Sequence, residues 1–194
     1  MKLVIIKYNA GNIQSVSFAL ERLGIDFTIS DDPEAIRNAD KVIFPGVGEA
    51  STTMNYLRNK NLDKVIVGLK QPVLGICLGM QLMCKFSEEN ATDCLGIFDE
   101  TVKLFIPTTD KKVPHMGWNK LNLKKDWLDA KLEGQHVYFV HSYYVPVNRF
   151  TAATTEYTLP FSAAMHRDNF YAVQFHPEKS ADAGVLVLKS FLDL

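Results

Sequence analysis

From Met1 to about Phe86 the chain alternates short β-branched runs with stretches of helical periodicity, and few folds accommodate that alternation. Strand, helix and strand in succession are the mark of βαβ units, so the pattern predicts an α/β fold with a mostly parallel sheet flanked by helices. The expected strands are Lys2–Tyr8, Phe27–Ser30, Lys41–Phe44 and Val73–Cys77. Between the first two, Asn12 stands where a helix N-cap belongs. Ile13, Val16, Leu20 and Leu23 then recur at helical spacing, and Gly24 occupies the C′ position. Asp31-Asp32-Pro33-Glu34 offers a second N-cap, with proline near the first turn and acid near the positive helix end. Ala50–Lys70 gives a third helical stretch.

After Phe86 the texture changes. Thr101–Phe105, Asn119–Leu123, His136–Tyr144, Ala152–Glu156, Phe161–His166 and Tyr171–Phe175 read as closely spaced strands, so this half is expected to be largely antiparallel or mixed. A last helix, about Ala181–Leu192, sets Val185, Leu188, Phe191 and Leu192 on one face. Without a repeat, low-complexity tract or linker, residues 1–194 are expected to form a single domain.

Composition excludes several functions. Against 22 acidic residues stand 21 basic ones, a net charge of −1, so no bulk field draws the chain to nucleic acid or to an anionic membrane. Cys77, Cys84 and Cys94 are an odd set without Cys-x-x-Cys spacing, which suits neither a disulfide framework nor a four-ligand zinc site. The opening residues meet polar side chains and glycine too soon for a signal peptide, and nowhere do about 18 apolar residues run together. A cytoplasmic protein that does not span a membrane is expected.

The chemistry concentrates in two segments. Pro72-Val-Leu-Gly75-Ile-Cys77-Leu-Gly79-Met-Gln81 reads as a strand, a Gly-x-Cys-x-Gly turn and the start of a helix whose apolar positions include Leu78, Leu82 and Phe86. This is a nucleophile elbow with sulfur in place of the serine oxygen: the sharp turn pushes the nucleophile outward, and flanking glycines keep neighbouring side chains clear. The helix N-terminus favours thiolate, and the Leu78 amide points where an oxyanion would develop. Near the other end, Tyr171-Ala-Val-Gln-Phe-His176-Pro177-Glu178-Lys179 supplies a candidate base. Proline biases His176 toward extended backbone, and residues two apart then face the same way, so Glu178 reaches the imidazole. Cys77, His176 and Glu178 together follow the logic of a Cys-His-Glu triad.

These segments, with Phe44-Pro45-Gly46-Val47-Gly48, resemble the class I, triad-type glutamine amidotransferases, in order along nearly the whole chain. More narrowly, Tyr8-Asn9-Ala10-Gly11-Asn12, Val113-Pro114-His115-Met116-Gly117-Trp118-Asn119 and Tyr138-Phe139-Val140-His141-Ser142-Tyr143 are similar to the glutaminase subunits serving imidazole glycerol phosphate synthesis in histidine biosynthesis. The resemblance implies a flavodoxin-like fold and hydrolysis of glutamine to glutamate and ammonia. It also implies oxyanion donors at Leu78 and in the Val47–Gly48 loop. Glutamine contacts fall at Gly46, Gln81, Ser142 and Tyr143, and Asn12, Trp118 and Lys179 lie toward a partner. That partner is a (β/α)8 cyclase subunit, which receives the ammonia and makes imidazole glycerol phosphate and an aminoimidazole carboxamide ribotide. No cofactor and no metal are implied.

Other signals are weaker. Gly46-Val-Gly48-Glu-Ala-Ser51 falls short of a dinucleotide fingerprint, because Ser51 stands for the third glycine and the third strand precedes it. Cys84, one helix face from the elbow, and Cys94, in a loop, read as packing or incidental thiols. His115, His136, His141 and His166 lack metal spacing and read as structural or interface residues. Trp118 reads as a core aromatic or an interface anchor, Lys179 as a solvated charge or a partner contact, and Lys111–Lys112 and Lys124–Lys125 as surface. Two other functions stay open: a glutaminase serving sugar amidation or pyridoxal phosphate synthesis, and a catalytically silent regulatory module of the same fold.

Overall fold

A computed structural model describes residues 1–8, 12–124 and 127–194. The first half winds as β1 (Leu3–Ile6), α1 (Ile13–Arg22), β2 (Phe27–Ser30), α2 (Pro33–Arg37), β3 (Lys41–Phe44), α3 (Ala50–Asn59), α4 (Leu62–Gly68), β4 (Val73–Ile76) and α5 (Leu78–Met83). The remainder is β5 (Cys84–Ser87), β6 (Thr92–Asp93), β7 (Phe98–Leu104), β8 (His115–Lys120), β9 (Asn122–Leu123), β10 (His136–His141), β11 (Tyr143–Tyr144), β12 (Thr151–Glu156), β13 (Pro160–Arg167), β14 (Phe170–Val173) and α6 (Ala181–Leu192).

The main sheet runs β2-β1-β3-β4-β14-β13-β12-β9. Its first five strands are mutually parallel, and the pairings from β14 through β13 and β12 to β9 are antiparallel. The parallel strands β1, β3 and β4 are buried at every position because both faces are covered. Leu3, Ile5, Ile43, Leu74 and Ile76 pack on one side with Val16 and Leu20 of α1 and Val187, Leu188 and Phe191 of α6. Val4, Ile6, Val42, Phe44 and Val73 pack on the other with Ile36, Met54, Leu57 and Ile66 from α2, α3 and α4. A ribbon of β8 and β10 and a smaller sheet, β11-β7-β5-β6, complete the structure. Among the described residues no helix is long and apolar enough to cross a membrane.

The expected elements are present, with several differences. The expected strand His136–Tyr144 breaks at Ser142 into β10 and β11, and Asn119–Leu123 divides between β8 and β9, each pair falling in different sheets. The stretch Ala50–Lys70 is two helices, because Asn61 takes the left-handed conformation (φ +55°) and breaks the run. The helix after Cys77 lasts six residues, so Phe86 lies on β5. For the same reason Cys84 opens that strand instead of riding a helix face. Asn12 precedes α1, but its side chain makes no capping bond, being engaged elsewhere. Asp32, by contrast, caps α2 as expected, its carboxylate accepting from the Ala35 amide at 2.9 Å. Of the segments singled out in the sequence, Asn9, Ala10, Gly11 and Lys125 lie outside the described residues.

Most consequential for chemistry is the adjacency of β4 and β14. Val73 to Ile76 stand in parallel register with Phe170 to Val173, and the Cys77 amide donates to the Val173 carbonyl at 2.8 Å. Segments about a hundred residues apart therefore leave the sheet side by side at the carboxyl ends of their strands, where open α/β sheets place ligands.

Candidate active site

Cys77 sits at the strand-to-helix turn with φ +52° and ψ −106°, a conformation that strains any residue with a Cβ. The elbow requires close approach of backbones. A Cβ on Gly79 would lie 2.0 Å from the Phe44 carbonyl oxygen, so only glycine lets α5 start against the end of β3.

His176 and Glu178 emerge just past β14. His176 Nδ1 and Glu178 Oε1 are 2.7 Å apart, and their side chains are 0% and 1% exposed. Asn12 completes the arrangement: its side-chain amide donates to Glu178 Oε1 and lies 3.3 Å from His176 Nδ1. The backbone of His176 is pinned as well. Its amide donates to the Tyr138 carbonyl at 2.9 Å, and the Ser180 hydroxyl donates to its carbonyl at 2.6 Å. Burial alone would strip the proton from the ring, but Cys77 and Glu178 outweigh it and raise the imidazole to about 10. Neither His176 Nε2 nor Glu178 Oε2 has a hydrogen-bond partner among the described residues. With Nδ1 engaged by Glu178, Nε2 is the nitrogen left for the Cys77 sulfur, which contributes to raising the ring.

The elbow opens on a cavity of about 370 Å³ lined by Val47, Gly48, Cys77, Leu78, Gln81, Glu89, Ser142 and Tyr143, among others. A larger depression, about 490 Å³ beside Met1–Val4 and Phe27, holds none of the three chemical residues. The Leu78 amide, the expected oxyanion donor, here donates to the Gly46 carbonyl of the loop after β3 at 3.3 Å. That loop is anchored at its far end, where the Glu49 carboxylate accepts from the amides of Ser51 and Thr52 at 2.8 and 2.9 Å and caps α3.

Residues 4–193 match the sequence model of the family described as glutamine amidotransferase class-I. The chain belongs to the class-I glutamine amidotransferase family. Among its relatives, imidazole glycerol phosphate synthase subunit HisH of Bacteroides fragilis strain YCH46 is 61% identical, with 100% of both chains covered. The protein of the same name from Bacteroides thetaiotaomicron is 60% identical over the same full coverage. The crystal structure of a putative GMP synthase chain from Thermoplasma acidophilum superposes with a TM-score of 0.75 over 100% of this chain and 93% of that one; at 21% identity it speaks to the fold alone.

In this amidotransferase the expected partner-facing residues divide. Asn12 is only 6% exposed and is turned inward against Glu178. Trp118 is 52% exposed, so it is not a core aromatic; it meets Tyr138 edge-on at 5.9 Å, and Lys179 Nζ lies 5.9 Å from the same Tyr138 ring. His115 and His141 are buried and paired. The Tyr143 carbonyl can only accept, so His141 Nδ1, 2.6 Å away, carries a proton. Burial pushes His141 down to about 3 and His115 to about 4, so both are neutral, and His141 Nε2 accepts from His115 Nδ1 at 3.1 Å.

Sequence reasoning missed Glu89, which is among the residues lining the cavity and whose carboxylate accepts from the Ala50 amide at 2.8 Å. It arrives from the turn between β5 and β6, and nothing local marks it. It also missed Gln174, fully buried, whose amide nitrogen lies 3.7 Å from Cys77 Sγ. A polar residue between Val173 and Phe175, two before His176, was the available signal.

Proposed function

We propose that this chain is the glutaminase subunit of an imidazole glycerol phosphate synthase: it hydrolyses glutamine at Cys77 and delivers the ammonia to a (β/α)8 cyclase subunit. The reading is carried by the strained cysteine opening on a cavity, with a buried imidazole held at 2.7 Å by a carboxylate beside it. The full-length likeness to chains named for that synthase supports the choice of pathway.

Cys77 gives its thiol proton to His176 Nε2, its Sγ attacks the side-chain amide carbon of glutamine, and the electron pair of the C=O bond moves to oxygen. Collapse of that intermediate breaks the C–N bond, and His176 gives its proton to the departing nitrogen, releasing ammonia. The imidazole, now neutral, takes a proton from water, which attacks the thioester and frees glutamate and the sulfur. Glu178 stabilises the imidazolium and fixes the ring, and Asn12 holds Glu178. Gln81 and the chain around Ser142 and Tyr143 seat the substrate, with the Glu89 carboxylate available to its α-ammonium. For the oxyanion, the loop at Gly46–Gly48 turns over, releasing the Leu78 amide and presenting an N–H of Val47 or Gly48. Each such donor is worth about 2.7–4 kcal/mol, so the turn acts as a switch. Docking of the cyclase on the Trp118–Lys179 surface sets it. A sealed interface matters because ammonia lost to water becomes mostly ammonium, which is not a nucleophile.

The test is reconstitution with the cyclase barrel, supplied either with glutamine or with ammonium salt at alkaline pH. Cys77→Ala abolishes glutamine-dependent turnover and leaves ammonia-dependent turnover intact, and parent glutamate release rises when the barrel and its nucleotide substrate are added. Undiminished glutamine use by Cys77→Ala, or a chain equally fast alone, contradicts the reading.

A further inference from the structure

Gln174 is fully buried just past β14, and its amide joins two neighbours. Its Oε1 accepts from Gln81 Nε2 at 3.0 Å, and its Nε2 donates to Cys77 Sγ at 3.7 Å. A side-chain amide can be turned over, exchanging nitrogen and oxygen, but here the far end decides. The Tyr143 carbonyl can only accept, so the Gln81 nitrogen faces it, at 3.0 Å. The second N–H of Gln81 then requires an oxygen on Gln174, which leaves the Gln174 nitrogen facing sulfur. The reverse setting would bring a carbonyl oxygen against the sulfur and set donor against donor. His141 locks the same Tyr143 carbonyl from the other side at 2.6 Å.

We propose that Gln174 is a further catalytic residue of this site: its buried N–H hydrogen-bonds the Cys77 sulfur, steadies the charge it carries as nucleophile and aims it at the cavity, with Gln81 fixing its direction. This deepens the glutaminase reading and rests on Cys77 being the nucleophile. The Cys77 sulfur is also faced by the Val140 carbonyl at 4.0 Å, by His176 and by Tyr8. Against these Gln174 adds an N–H donor, which favours thiolate because the anion is the better acceptor, and where water is largely excluded a single donor counts for more. Both Gln81 hydrogens are spent internally, so toward a substrate Gln81 offers an acceptor. The donor to sulfur has a signature. It increases the fraction of ionised sulfur while slightly blunting the ion's nucleophilicity, so its benefit is greatest at low pH and shrinks as pH rises.

The experiment follows alkylation of Cys77 by iodoacetamide in the full chain from pH 5.5 to 9.5, read by peptide mass; Cys84 and Cys94 report unfolding. Gln174→Leu reacts about tenfold more slowly below neutrality, the effect of one hydrogen bond to a charged group, and the deficit shrinks as pH rises toward 9.5. Its glutamine kcat falls with the same pH dependence, while KM stays within about twofold. Gln81→Met, which frees the Gln174 amide to turn over, shifts the curve in the same direction by less. A superimposable curve, or a loss of equal size at every pH, overturns the proposal. If Gln174→Leu fails to fold, an unchanged curve in Gln81→Met overturns it. Alkylation needs no glutamine, so this failure is distinct from failure of the glutaminase reading, which appears as glutamine hydrolysis surviving Cys77→Ala.

Discussion

At φ +52° and ψ −106°, Cys77 stores strain of about 1–3 kcal/mol, retained because the turn throws the sulfur clear of the sheet. Removing the side chain in two ways isolates that strain. Cys77→Gly is predicted to unfold at least about 1 kcal/mol higher than Cys77→Ala in chemical denaturation, though both are inactive, because only glycine occupies this conformation freely. Equal stabilities would mean the turn is relaxed. The sulfur, imidazole and carboxylate were legible in the sequence because each sits in a short motif whose backbone dictates its side-chain direction. Asn12 and Gln174 were not. An amide declares its role only through its partners, and those of Asn12 lie 164 and 166 residues away. The same distance explains why Asn12 reads locally as a helix cap and folds as a support for Glu178.

Among the elements, α6 does more than cover the sheet. A Cβ on Gly184 would lie 1.8 Å from the Pro177 carbonyl oxygen, so the helix rests directly on the turn that carries His176 and Glu178. Ser180, at the head of that helix, accepts from the Tyr138 amide at 2.9 Å and donates to His176. Gly184→Ala is therefore expected to push the helix off the turn, lowering glutaminase kcat at least tenfold and stability by about 1–3 kcal/mol, whereas Asp182→Ala stays within about 0.5 kcal/mol. An active, fully stable Gly184→Ala would show that the turn does not depend on the helix. The extent of α6 was readable, though its buried face is Ala183, Gly184, Val187, Leu188 and Phe191, with Val185 and Leu192 of the expected stripe only half-buried; β2 and β3 were readable from their β-branched runs. The region from Leu78 to Asp93 was not, since a six-residue helix completes too few turns to show a period and β6 is only two residues long.

Across the whole molecule, the decisive fact is one of topology: β14 returns beside β4, and no local signal announces that pairing. The folded chain also titrates on two sides. His176, raised to about 10 from the ordinary 6.5, stabilises the fold fully below pH 6.5, and this contribution fades as pH climbs toward 10. His115 and His141, lowered to about 4 and 3, act oppositely: their contribution is present above pH 6.5 and is lost as pH falls through those values. Denaturation midpoints should therefore peak near pH 6.5. Glu178→Gln is expected to flatten the alkaline limb, and His115→Phe, keeping the stack between Phe139 and Tyr157, the acid one. Limbs unchanged by these substitutions would assign the titration elsewhere. The central claim, that glutamine is opened by the sulfur at the elbow, is tested most directly by treating the chain and its barrel with a chloroketone analogue of glutamine and mapping the adduct by peptide mass. One adduct is predicted, on Cys77, prevented by excess glutamine; labelling on Cys84 or Cys94, or no labelling while glutamine is still hydrolysed, would contradict the claim.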